Sequence, residues 1–213
     1  MLIKEGLPKI ISQIIQQGVK DITLLFLAIG DHEVDGYPLQ VGQFESGDEE
    51  LDLWLTRTYP EGGGGANEGE SYGLAHNFAA NFTVTDAWEK RKQKGVFIMI
   101  GDEPSLDFYP DAVMKEVTGN NQATGFTQDE ILEKVREKWH VFHINPHHAY
   151  DEDYWKPKLG QNYISLRDHN KIPETVVDIV CKFAKVTTTS STSTSHNEEV
   201  SQGDDKDNPS FIR

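Results

Sequence analysis

Residues Gly95–Pro104 read GVFIMIGDEP, and this stretch decides the fold. Its apolar run, Val96 to Ile100, is short, does not alternate with polar residues, and is closed by Gly101-Asp102. A run of that kind predicts a strand covered on both faces, as in a parallel sheet. ITLLFLAI, Ile22–Ile29, closed by Gly30-Asp31, reads the same way. So do WHVFHINP from Trp139 and NYISLRD from Asn162. LQVGQF, from Leu39, fits a shorter edge strand.

Helical spacing fills the intervals. Leu7, Ile10, Ile11, Ile14 and Ile15 share one face of a helix ended by Gly18. DEELDLWLTRTY turns Leu51, Trp54 and Leu55 inward. Tyr72, Ala75, Ala79 and Phe82 form the stripe of another helix, and DAVMKEV is short and helical. Thr127 and Glu130 make a capping box, with side chain and backbone satisfying each other's donors. IPETVVDIVCKFAK closes the domain, with Pro173 in its first turn and Cys181, the single cysteine, on its buried side. Buried strands alternating with helices predict an α/β fold, a mainly parallel sheet with helices on both faces, over residues 1–185. Residues 186–213 are Ser/Thr-rich and then acidic, a composition that predicts disorder.

The chain has 213 residues, 35 acids against 20 bases and a formal charge of −15. Such a balance disfavours nucleic acid and anionic membranes, which reward Lys and Arg. No apolar run approaches the length of a membrane span and no signal peptide is recognisable, so a cytoplasmic location is expected.

In parallel sheets ligands gather at the carboxyl ends of the strands. Three places qualify: Gly30-Asp31, Gly101-Asp102-Glu103, and Asn145-Pro146-His147-His148. Between the second and third helices lie four glycines, Gly62, Gly63, Gly64 and Gly65, within EGGGGANEGESYGLA. No P-loop or dinucleotide motif surrounds them, and Glu61, Glu68 and Glu70 repel a phosphate. Asp102, Asn67 and Ser71 are oxygen donors suited to a hard cation, with Glu70, Asp31 and Glu103 in support. The plainer reading makes Asn67 a helix N-cap answered by Glu70, and Asp102 a turn residue. His140, His143, His147 and His148, with Asp151 and Asp153, are zinc ligand types, but His140 and His143 fall on opposite faces of a strand and no zinc spacing is present. A serine triad lacks its G-x-S-x-G turn.

The order of these elements, with ITLLFLAIGDHEVDGYPLQVGQFE, EGGGGANEGESYGLA and KGVFIMIGDEP, resembles the von Willebrand factor type A domain from about Lys4 to Ala184. The resemblance implies a Rossmann-like fold and a metal-ion-dependent adhesion site, usually holding Mg²⁺. Its ligands would come from D-x-S-x-S after the first strand, a Thr slot that falls at Asn67, with Ser71 the other donor, and an Asp that matches Asp102. D-x-S-x-S occurs nowhere in the chain, and the family's central first strand, between ITLLFLAI and GVFIMI, has no counterpart. Three explanations stand open: a fragment of a longer protein, which is favoured; a degenerate member that pairs those two strands directly; or a strand supplied by another chain. The expected function is a non-enzymatic protein-binding or scaffolding module with an incomplete Mg²⁺ site, and self-association through the strands flanking the missing one. The alternatives are a metal-dependent hydrolase using Asp102, Glu103 and the histidines, and a metal-free interaction domain.

Overall fold

The structure is a computed structural model; it describes residues 2–60, 69–147 and 151–191. In chain order the elements are α1 (Leu2–Gln16), β1 (Leu27–Ile29), β2 (Leu39–Val41), α2 (Asp48–Arg57), α3 (Tyr72–Asn81), α4 (Asp86–Arg91) and β3 (Gly95–Ile100). There follow β4 (Phe108–Tyr109), α5 (Asp111–Thr118), β5 (Phe126–Thr127), α6 (Gln128–Lys138), β6 (Trp139–Asn145), α7 (Glu152–Leu159), β7 (Tyr163–Ser165) and α8 (Ile172–Ser191).

The centre is a parallel sheet in the order β3-β6-β7, with β3 and β6 in register from Gly95↔Trp139 to Ile100↔Ile144. Alternation along the strands divides the core. Met99, Val141 and Tyr163 pack with Tyr72, Ala79 and Ala80 of α3, Ile131, Leu132 and Val135 of α6, and Trp155 and Leu159 of α7. Phe142 and Ile144, with Val96 and Ile98, face Ile179 of α8 on the other side. The sheet is therefore an α/β arrangement flanked by helices on both faces, and β6, its middle strand, is buried along its last five residues. The capping box is formed as expected, with Thr127 accepting from the Glu130 backbone N–H. Cys181 is buried in α8 beside Ile14 and Val177.

Four expectations are corrected. ITLLFLAI is not a strand of the parallel sheet. Only Leu27–Ile29 is regular, it pairs antiparallel with Leu39–Val41, and its residues are half-buried. The polar turn from Asp31 folds the chain straight back, and a hairpin makes an antiparallel ladder. It does not pair directly with GVFIMI either; among the described residues β1 bonds only β2, and β3 only β6. Helix α3 opens at Tyr72 with Ser71 as its N-cap, so Glu70 is not the third residue of a helix capped at Asn67. Phe82 lies at the C-cap of that helix and is 53% exposed rather than in its buried stripe. Finally, α8 continues to Ser191, past the boundary drawn before Val186; residues 192–213 lie outside the described residues.

One helix was not anticipated. Spacing predicts no helix between WHVFHINP and NYISLRD, yet Glu152–Leu159 is helical, with Pro157 inside it. Trp155 and Leu159, four apart, reach the core, and the Trp155 side chain is wholly buried. Among the described residues no helix is long and apolar enough to cross a membrane.

Candidate functional site

The carboxyl ends of β1 and β3 meet at the start of α3. Glu70 N–H donates to Pro104 O at 2.9 Å, and Ser71 N–H donates to Gly30 O at 3.2 Å. Two adjacent residues thus tie both strand ends, and Glu70 also bridges to Ser105 in the parallel sense. Around this junction stand Asp31, Asp35, Glu70, Asp102 and Glu103. No ion pair among the described residues includes any of the five.

Asp31 is 2% exposed. Its Oδ1 accepts from Glu33 N–H at 2.9 Å, and Asp35 Oδ2 accepts from Asp31 N–H at 2.7 Å. A side chain at Gly30 would meet Asp35 Oδ2 at 2.4 Å, so the Asp35 carboxylate would have to move aside for it. Asp31 Oδ2 is buried without a hydrogen-bond partner, and so is Glu70 Oε2. An unpaired buried carboxylate oxygen is costly, because it has lost water and gained nothing. Burial first, and then the charges of Asp31, Asp35, Glu103 and Asp102, push the Glu70 carboxyl up to about 7. Glu103 is raised by burial and by Asp102 and Asp151. The cluster is therefore short of positive charge.

The expected ligands distribute unevenly over this geometry. Asp102 stands exposed at the end of β3, close enough to raise Glu70. Ser71 is fully buried, and its Oγ is already engaged: it accepts from His32 N–H at 2.9 Å and pairs with His32 Nδ1 at 2.9 Å. Asn67 and the glycines Gly62–Gly65 lie outside the described residues. The buried carboxylate oxygens without a partner belong instead to Asp31 and Glu70, which the sequence placed only in support. Among the described residues no group of three or more His, Cys, Asp or Glu is disposed to hold a metal ion. The donor set thus fits a cation in part, through two orphaned oxygens with Asp102 nearby.

The histidines do other work. His140 lies against Phe183 of α8, with ring centroids 4.3 Å apart and the planes tilted by 36°, while His143 is buried on the opposite face, as strand alternation requires. His143 lies between Trp155 and Tyr163, at centroid distances of 4.8 and 5.9 Å. Its Nε2–H faces two acceptors, Asp151 Oδ2 at 2.8 Å and Gly101 O at 3.0 Å, which fixes the proton on that nitrogen. Asp151 also accepts from Asn145 Nδ2 and, at 2.8 Å, from Tyr163 O–H. Burial alone would raise the Asp151 carboxyl; the hydrogen bonds from His143, Tyr163 and Asn145 overturn that and hold it below the ordinary carboxylate range. His147 sits past the strand end, and His148 lies outside the described residues.

A second buried chain of hydrogen bonds anchors α3. Gly73 N–H donates to Tyr109 Oη at 2.8 Å, Tyr109 pairs with Ser105 Oγ at 3.1 Å, and Ser105 donates to Gln128 Oε1 at 2.9 Å. The Gln128 amide then meets His76 Nδ1 at 2.9 Å. Burial lowers His76 to about 3 despite that hydrogen bond, so its ring is neutral and structural. These bonds clamp the helix that carries Glu70 and Ser71 against β4 and α6. Nothing in the linear sequence marks Gln128, Ser105 or Tyr109 as partners.

No family model matches the chain, and neither a curated protein nor a solved structure does.

Proposed function

We propose that this chain is a non-enzymatic binding module of the von Willebrand factor type A kind, with a partial divalent-cation site at the carboxyl edge of its sheet. One observation carries the reading: Asp31 Oδ2 and Glu70 Oε2 are buried, without a hydrogen-bond partner and set among further carboxylates, none of which is in an ion pair among the described residues. Hard cations such as Mg²⁺ take oxygen ligands, and the two orphaned oxygens, of Asp31 and Glu70, are those that would hold one, with Asp102 nearby. A bound cation would supply the missing positive charge and a fixed point for an acidic group of a protein partner. With so few protein oxygens the ion keeps most of its water, so affinity is low, on the order of millimolar. The hydrolase alternative, with Asp102 and Glu103 as ligand and base, gets no help from His143, which is wholly buried and committed to Asp151 and Gly101 O.

Calorimetric titration of the chain with Mg²⁺ and Mn²⁺ tests the reading. Weak saturable binding is expected, reduced at least about tenfold in Asp31→Asn and in Asp102→Ala. Binding that is absent in the wild type up to high millimolar ion leaves the metal-free interaction domain in its place.

A further inference from the structure

We infer that the open edges of β1 and β3 form one slot that takes up an extended strand of another polypeptide segment, apolar on both faces, parallel to β3, and followed by a basic residue. The proposal stands on backbone geometry and does not require the cation site.

Backbone direction alternates along a strand. Gly101 N–H bonds Ile144 O across to β6, so Phe97 and Met99 also point to β6, while Val96, Ile98 and Ile100 point their N–H and C=O away from it. On the other side Leu24 exchanges both bonds with Glu45, and Phe26 O accepts from Gly42 N–H. Leu25, Leu27 and Ile29 therefore point away from β2. None of these six residues has a backbone partner among the described residues. The two edges border the same region, because Ser71 ties Gly30 at the end of β1, and Glu70 the loop after β3, to the start of α3, and because Ile29 and Phe97 pack on one core cluster.

The slot is apolar on both sides. Val96 and Ile98 lie toward α8, and Phe97 and Met99 toward α3 and α6. Apart from Met99, which is buried, the residues of these strands are half-buried or exposed where the paired β6 is buried, and Ile100 is 41% exposed. An occupant must therefore alternate apolar side chains to both faces. The chain's own segments outside the described residues, 61–68, 148–150 and 192–213, hold no more than two apolar residues in succession, so none can fill it. A second copy is disfavoured by its charge of −15, and its both-face apolar strands are already in use. The carboxyl end of the slot opens on Asp31, Glu70, Asp102 and Glu103, so the residue that follows the strand is basic.

The test is amide hydrogen exchange followed by NMR on the whole chain, in EDTA so that no divalent cation contributes. The probe is a synthetic peptide of six Val and Ile residues followed by two Lys. In the free chain the amides of Leu25, Leu27, Ile29, Val96, Ile98 and Ile100 should exchange freely, while those of Phe97 and Met99 are protected. Saturating peptide should slow the first set at least about a hundredfold. Val96→Pro and Ile98→Pro each remove one slot-facing donor and keep the β6 ladder, so each should weaken the peptide at least about tenfold, whereas Val41→Pro on the outer edge of β2 should not. A Glu-tailed peptide should bind at least about tenfold more weakly than the Lys-tailed one. Exchange at the six amides that ignores saturating peptide overturns the proposal. So does protection that rises with protein concentration alone, which would make the occupant a second copy.

Discussion

Removing the Asp151 carboxylate should be the most damaging single change away from the hydrophobic core. The side chain is wholly buried and accepts from His143, Asn145 and Tyr163. Asp151→Ala leaves three buried polar groups facing a small cavity. Breaking a buried charged network by deleting one partner costs about 3–5 kcal/mol. For a domain of this size each kcal/mol moves the melting temperature by about 2–4 °C, so a fall between about 6 and 20 °C is expected. Asp151→Asn, which keeps the shape and loses the charge, should fall in between. The pH dependence has a definite sign. A carboxylate held below its ordinary range contributes stability that is present above its unfolded value, about 3.9, and is lost as pH falls through the depressed folded value. The difference between wild type and Asp151→Ala should therefore narrow below about pH 4. Thermal and urea unfolding at pH 7 and pH 3 measure it. A variant that melts within about 2 °C of wild type at pH 7, or a gap of equal size at both pH values, would refute the reasoning.

Gly73→Ala places a methyl 2.3 Å from the Tyr109 ring, which is buried and pinned by Ser105, so urea unfolding should show a loss of about 1–3 kcal/mol. Thr127→Ala deletes the cap of α6 and should cost about 1 kcal/mol in the same assay, with no change at the carboxylate cluster. Glu70, lifted to about 7 chiefly by burial, binds its proton more tightly in the folded chain. Its stabilising contribution is then complete below the ordinary value near 4.5 and is lost as pH rises through about 7. In EDTA the melting temperature should fall between pH 5.5 and 8, and Glu70→Gln should flatten that slope; an unchanged slope in the variant would count against the site.

Much of the order of elements was legible in linear pattern, because burial on both faces leaves unbroken apolar runs. GVFIMI and WHVFHIN are such runs, and they pair with each other in the parallel sense. The capping box and the buried Cys181 were legible for the same local reasons. Helix α7 was hidden because Pro157 argues against a helix and only Trp155 and Leu159 carry its apolar spacing. ITLLFLAI misled because an apolar run reports what covers its faces and is silent about which strand lies at its edge.

Sequence alone determined the alternation of helices with buried strands, the opposite faces of His140 and His143, and the gathering of acidic residues at strand ends. All follow from composition and from the two-residue and 3.6-residue periods of the backbone. Tertiary structure alone decided which buried carboxylate oxygens lack a hydrogen-bond partner. Ser71 spends its hydroxyl on His32, thirty-nine residues away, whereas Asp31 and Glu70 each keep a buried oxygen without a partner. It also decided that β1 turns back on β2 and that, among the described residues, the second edge of β3 has no strand beside it. Partnership across such distances depends on where the chain brings groups together, and a linear pattern carries no record of that.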